Sequence, residues 1–447
     1  MAASSLGQVS VICAPPNGRN PGMTSVDLAF EKVAHAAGAT QVTYWRLWDV
    51  SEWSEFRGAG DLVASSSYRD PDSLIAYQSI RGRLDEAFSA DRIVFWGDFM
   101  HMAVYQRHMA DVLARRIGVC SREEADELVA RTLMLRDADE GTLGRVFSYG
   151  STLGMNTAAD YAGRYGHDLD RFMAAARDVW MRDPYSAQVV RTIRGPERGA
   201  AQALDAAFLL HDGTHRGGKG LGVFIGRSQV RPEVVALFGK RLAQRLGARA
   251  RWIPWGGSPA FWPVDSRRRF RASWPALEHE NDEPSRIDLL GTSLRSLRGV
   301  PKEPRRPVDA AELIYGLGDL DFVLTDTYHL AINAWAQGTP TICLVDGGGV
   351  DWSVNSGEPN MRRDKRVDLY SQLEALGLIV DLAKLGRRIP QEVDRLAELL
   401  AQPESLAVTA GRIEAQRRQS MDAVLAALGQ ALPKPPRRQG QLQLGLG

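Results

Sequence analysis

Short apolar runs and amphipathic stretches alternate along this chain. QVSVICAP reads as a buried strand, and the loop PNGRNPG leads from it into an amphipathic helix from about Ser25 to Ala37. ATQVTYWRLW reads as a second strand and DRIVFWGD as another, ending at Gly97 and Asp98. Apolar periodicity from Met102 to Ile117 predicts a helix, and Ser121 with Glu124 forms a capping box for the next one. RVFSYGSTLG is a strand running into a small-residue turn, and Leu169 to Trp180 reads as helical. This alternation predicts a parallel, doubly wound sheet.

The pattern breaks at residues 194–220, where RGPERG and HDGTHRGGKG read as flexible. It then restarts. LGVFIGRS is a strand, PEVVALFGKRLAQRLG a helix with Pro232 in its first turn, and ARWIPWG and IDLLG further short elements. DAAELIYGLG is a helix feeding into DFVLTD, and PQEVDRLAELLAQ and Ala407 to Leu428 are late helices. The expected fold class is therefore α/β, with two Rossmann-like doubly wound domains facing across a cleft. The N-terminal domain spans 1–205, the C-terminal domain 206–431, and a Pro-rich, then Gly-rich tail at 432–447 reads as disordered. Ligands of open α/β sheets bind in loops that follow strands. Four loops qualify: Asn17–Gly22, Gly97–Asp98, Ser148–Gly154 and Thr325–His329.

Composition narrows the function class. A length of 447 residues suits two domains, and 44% hydrophobic with 24% charged residues is the mix of a soluble protein. A net charge of +1 argues against a nucleic-acid surface. No apolar run approaches the roughly 20 residues of a membrane span, and MAASSLGQ lacks the regions of a signal peptide, so a cytoplasmic protein is expected. Cys13, Cys120 and Cys343 are scattered with no CxxC pair, and no metal and no cofactor are expected.

The segment FVLTDTYHLAINAWAQGTPTICL reads as strand, turn, helix, strand, with the helix taken as LAINAWAQG. Its turn strings together Thr325, Asp326, Thr327, Tyr328 and His329. A helix N-terminus favours an anion, two hydroxyls can donate to it, and His329 can move a proton near neutral pH. A capping residue would explain one polar side chain there, not five. GTHRGGKG imitates a phosphate-binding loop, but Gly220 stands where magnesium needs a hydroxyl and a strand follows where a helix should. It reads as a mobile inter-domain loop whose Arg216 and Lys219 reach a ligand only on closure. The tryptophans of TYWRLWDVSEW read as core before they read as a sugar platform. SRRRFR reads as a solvated loop.

Taken in order, several segments resemble the polysaccharide pyruvyl transferase family. TDTYHLAINAWAQGTPTI is similar to its "TDSFH … G.P" segment and SYGSTLG to its "SYaaSfG" turn. WMRDPYSAQVV resembles its "vRd..S" element, with Arg182, Asp183 and Ser186 in place, and LDAAFLL its "DPtfLL" strand, with Asp205 matching. NPGMTSVDLAF and RDKRVDLYSQLEALGL resemble its N-terminal loop and its late lysine segment. The resemblance implies a GT-B-like pair of domains and transfer of pyruvate from phosphoenolpyruvate to a saccharide or glycolipid acceptor. For that chemistry His329 is read as the acid–base group and Asp326 as a second base or the orienter of its imidazole, with the donor against Thr325, Thr327 and Tyr328 and positive charge from Arg182 and Arg227 near predicted strand ends. The acceptor then lies at Asn20, Gly22, Asp98, Ser151 and Gly154. Thr327 departs from the family, which carries arginine there. A GT-B glycosyltransferase using a nucleotide sugar is the alternative function, and a non-catalytic saccharide-binding protein a third.

Overall fold

Near-continuous apolar runs become strands covered on both faces, because only helices on either side of a parallel sheet can bury such runs completely. The computed structural model describes residues 7–14, 21–39, 41–48, 75, 77–97, 99–118, 120–154, 156–198, 201–211, 213, 215–226, 231–255, 269–270, 272–277, 310–345 and 364–429. The first sheet holds β1 (Gln8–Ile12), β2 (Gln41–Arg46), β3 (Tyr77–Ser79), β4 (Arg92–Trp96), β5 (Val146–Ser151), β6 (Asp178–Met181) and β7 (Ala201–Gln202). Their order is β3-β2-β1-β4-β5-β6-β7, all parallel, with Val9 opposite both Val42 and Arg92. The second holds β8 (Leu221–Phe224), β9 (Ala250–Trp252), β10 (Phe322–Thr325), β11 (Thr341–Val345) and β12 (Ile379–Asp381). Its order is β12-β11-β10-β8-β9, also parallel.

Two Rossmann-like units of a GT-B-like fold result. The strand order of each sheet reverses once, between β1 and β4 in the first and between β8 and β10 in the second. Crevices beyond these switch points are where open α/β sheets take ligands. The first helix, Pro21–Ala36, packs on a 3-10 turn at Ala206–Leu210 and on the helix Tyr328–Ala336 of the second unit. One apolar core therefore runs from the first sheet through this helix into the second sheet, and another fills the opposite face of the first sheet. The last helix, Pro403–Gly429, returns to the first unit, where Arg177 Nη2 donates to the Ala427 carbonyl at 2.5 Å.

Several elements differ from the sequence reading. The helix expected over Leu169 to Trp180 spans Arg164–Ala175, and Trp180 lies in β6, because a three-residue apolar run carries no period of its own. LDAAFLL is no strand: Asp205 caps the 3-10 turn by accepting from Ala207 N at 3.1 Å. The helix over Met102 to Ile117 begins at Ala103 and widens to π-type turns over Val112–Ile117. The penultimate helix starts at Leu382, eight residues before Pro390, and passes that proline through a kink at Arg388. The loop expected to be mobile is tied down: Gly218 and Gly220 N–H donate to the Asp321 carboxylate at 2.6 and 2.8 Å, and Arg216 and Lys219 pair with Asp319. It precedes β8, so it lies at the end of the sheet away from the crevice. Trp45 and Trp48 are core residues. The IDLLG element, most of SRRRFR and the 432–447 tail fall outside the described residues.

Candidate functional site

At the end of β10 the chain turns from Thr325, through the extended N-cap residue Thr327, into the helix Tyr328–Ala336. This helix begins two residues before the expected LAINAWAQG, so Tyr328 and His329 form its first turn. It is buried on all sides and has no polar face to mark its start. Thr325 Oγ1 accepts from Thr327 N at 3.0 Å, and the Asp326 carboxylate accepts from Gly226 N at 2.9 Å and from the Thr327 hydroxyl at 3.2 Å. Arg366 donates to the carbonyls of Asp326 (2.9 Å) and Leu344 (3.0 Å) while pairing with Asp364. Burial alone would raise the Asp364 carboxyl, but the Arg366 guanidinium overrides it and holds the group below its usual range. Thr325, Asp326 and Thr327 thus lace together the ends of β8, β10 and β11. They form the rigid base from which Tyr328 and His329 project.

His329 meets the first unit directly. A Cβ on Gly22 would fall 2.2 Å from His329 Cβ and 2.7 Å from its Nδ1, so only glycine fits there. The His329 ring lies 6.5 Å from that of Phe99, in the loop after β4. Tyr328 joins a cation–aromatic cluster. The Arg182 guanidinium stands 4.6 Å over the Phe99 ring and 5.0 Å over Tyr328, and Lys365 Nζ stands 4.2 and 4.6 Å over the same two. Arg182 also donates to Asp205 at 2.8 Å, with both side chains almost wholly buried. Burial pushes the Tyr328 phenol well above its ordinary value; Arg182 opposes this, and a hydrogen bond with Asp205 adds to it. Residues that follow β1, β4 and β6 of one sheet (Gly22, Phe99, Arg182) and β10 and β11 of the other (Tyr328, His329, Lys365) therefore converge.

Of the residues singled out from sequence, Gly22, Arg182, Tyr328 and His329 come together here. Ser151, the buried last residue of β5, accepts at its carbonyl from Arg182 N at 3.0 Å, which places it beside the cluster. Gly154 lies further along, where its N–H donates to Thr152 Oγ1 at 3.2 Å. Thr152 in turn donates to Asp183 at 2.7 Å. Asn20, Asp98 and Arg227 lie outside the described residues. Phe99, Lys365, Asp205 and Asn333 belong to the cluster and were missed. Lys365 and Asp205 stood inside the segments RDKRVD and LDAAFLL, and Phe99 directly follows the Gly97–Asp98 loop. Asn333 gave no signal. Among the described residues no group of three or more His, Cys, Asp or Glu is arranged to hold a metal ion, and no helix is long and apolar enough to cross a membrane.

No protein-family model matches the chain, and no curated protein matches its sequence. Among solved structures it is similar to a UDP-GlcNAc 2-epimerase from Neisseria meningitidis bound to UDP-GlcNAc, at 7% identity and a TM-score of 0.49, covering 94% of this chain and 99% of that one. A putative UDP-N-acetylglucosamine 2-epimerase from Listeria monocytogenes gives 12% identity and 0.45, over 96% and 98%. Phytolacca americana UGT2, complexed with UDP-2fluoro-glucose and pterostilbene, gives 10% and 0.42, over 95% and 100%. Likenesses this distant carry no activity across to this chain.

Proposed function

We propose that the chain is a transferase that works on a saccharide and takes its donor as a phosphorylated anion. The observation that carries this is the convergence of His329, Tyr328, Arg182 and Lys365 where the strand ends of two sheets meet. The N-terminus of Tyr328–Ala336 favours negative charge, and two cations stand beside it. They can stabilise the charge that gathers on a departing phosphate oxygen. His329 is the group placed to move a proton to or from the acceptor.

Two donors answer to this chemistry. A nucleotide sugar suits the architecture, because facing switch points put a diphosphate at a helix N-terminus. His329 then takes the proton of the acceptor hydroxyl as the sugar carbon bonds to its oxygen and the diphosphate leaves. Phosphoenolpyruvate is the donor that the motif resemblance implies. In its favour, Arg182 brings a guanidinium over Tyr328, next to Thr327, where that family carries arginine. A proton then goes to the donor's methylene carbon, two acceptor hydroxyls add in turn to the neighbouring carbon, and its bond to the phosphate oxygen breaks; of the two hydroxyl protons released, one replaces that given to the methylene and the other leaves with phosphate.

Thermal unfolding with phosphoenolpyruvate and with a panel of sugar nucleotides separates the two. A donor at 100 times its Kd should raise stability by about 2.7 kcal/mol. His329→Asn should keep the fold and that donor's binding while turnover falls by roughly 100-fold or more. Stabilisation by neither donor class, with turnover per folded molecule unchanged in the variant, would sink the proposal. Saccharide binding without turnover would leave a non-catalytic saccharide-binding protein.

A further inference from the structure

Asn333 lies one helical turn after His329 and is fully buried. Its Nδ2 donates to the His329 carbonyl at 2.8 Å and to Ser25 Oγ at 2.9 Å. Ser25, also fully buried, donates its own hydrogen to the Gly22 carbonyl at 2.9 Å. Gly22 in turn packs on the His329 ring with no room for a Cβ. The contacts close a ring through two units: Gly22, Ser25, Asn333, His329 and back to Gly22.

The network also fixes the orientation of the amide. Both Nδ2 hydrogens face acceptors, because the Ser25 hydrogen is already committed to Gly22 and the His329 carbonyl can only accept. Oδ1 therefore faces His211 Nε2, 3.3 Å away, which must carry the proton. His211 follows the Ala206–Leu210 turn, between the two sheets, and its ring meets Tyr315 edge-on at 5.3 Å. One carboxamide thus joins the first helix of unit one, the inter-sheet segment and the histidine helix of unit two. An aspartate has no donors for the two oxygens, and an alanine makes none of the three bonds.

We infer that Asn333 is a positioning residue that holds the His329 imidazole against Gly22 and sets the two units at one relative position. Its link to turnover rests on the proposed role of His329, but its geometry does not. The test uses the full-length chain with 15N-labelled histidine, with the His329 ring resonances assigned by their loss in His329→Asn. Asn333→Ala should shift the ring resonances of His329 and His211 and leave those of His108 and His167 in place. Ser25→Ala removes one hydroxyl, and it decides the matter if Asn333→Ala does not fold; it should shift the His329 resonances too. If turnover is measurable, both variants should lower kcat by 10-fold or more with KM nearly unchanged. Unmoved His329 resonances in every folded variant would overturn the inference. A loss of activity in His329→Asn alone would bear on catalysis and not on positioning.

Discussion

Gly22 and His329 show how much one missing methyl decides. Gly22 sits in the first turn of a 16-residue helix, where alanine would gain about 0.5–1 kcal/mol in helix propensity. Its Cβ, however, would stand 2.2 Å from His329 Cβ, and overpacking of this kind costs typically 1–3 kcal/mol. The steric cost outweighs the propensity gain. Gly22→Ala should therefore lower the unfolding free energy in urea, and it should push the imidazole away from its seat, so that turnover falls as well. A variant of higher stability and full activity would mean that the two side chains do not meet in solution. Arg182 shows a second residue-scale lesson. Its pairing with Asp205 is buried, so truncation would remove both a cluster cation and a structural partner, and lost activity alone would not distinguish the two roles.

Helix starts carry the element scale. Ser121 and Asp183 both cap helices, and both were visible as motifs, but their surroundings differ. Ser121 accepts from Glu124 N at 3.2 Å in an exposed capping box. Asp183 is buried and accepts from Ser186 N (2.8 Å), Ser186 Oγ (2.7 Å) and Thr152 Oγ1 (2.7 Å). Ser121→Ala should cost about 1 kcal/mol, the usual worth of an exposed cap. Asp183→Ala should cost roughly 3 kcal/mol or more, because each buried hydroxyl left without its acceptor adds about 1–3 kcal/mol. Equal losses in chemical denaturation would contradict the buried network. Asp183 follows Arg182 directly, so its loss should also loosen the cation–aromatic cluster.

Across the whole molecule, the two units are not independent. The first helix packs on the second unit, and the last helix, Pro403–Gly429, returns to the first. That last helix buries Ile413, Val424 and Leu428 almost completely. Each such side chain contributes roughly 1.5–3 kcal/mol on burial, and together they rival the 5–15 kcal/mol that keeps a typical domain folded. A chain ending at residue 402 should therefore lose its cooperative thermal transition or melt far below the full chain. A truncated chain with an unchanged transition would show that the helix is an appendage.

Local pattern was enough for the alternation of strands and helices, the two-unit architecture and the Ser121 capping box, and it singled out the segment from Thr325 to His329 as a candidate. Each of these is written in neighbouring residues: a period, a proline, a serine three residues before a glutamate. The TDTYH string stood out as a candidate site, because five polar side chains cannot all be explained by one cap. Sequence alone did not divide the labour within it. Only the folded chain shows that Thr325, Asp326 and Thr327 bind the strand ends together, while Tyr328 and His329 enter the helix and face the other unit. Nor could spacing reveal that Lys365 and Arg182 share the rings of Phe99 and Tyr328, or that Asn333 reaches Ser25, 308 positions away. Contacts between residues so far apart leave no period in the chain. They arise when two sheets present their strand ends to each other, where buried polar atoms such as those of Asn333 and Ser25 gain by bonding to one another.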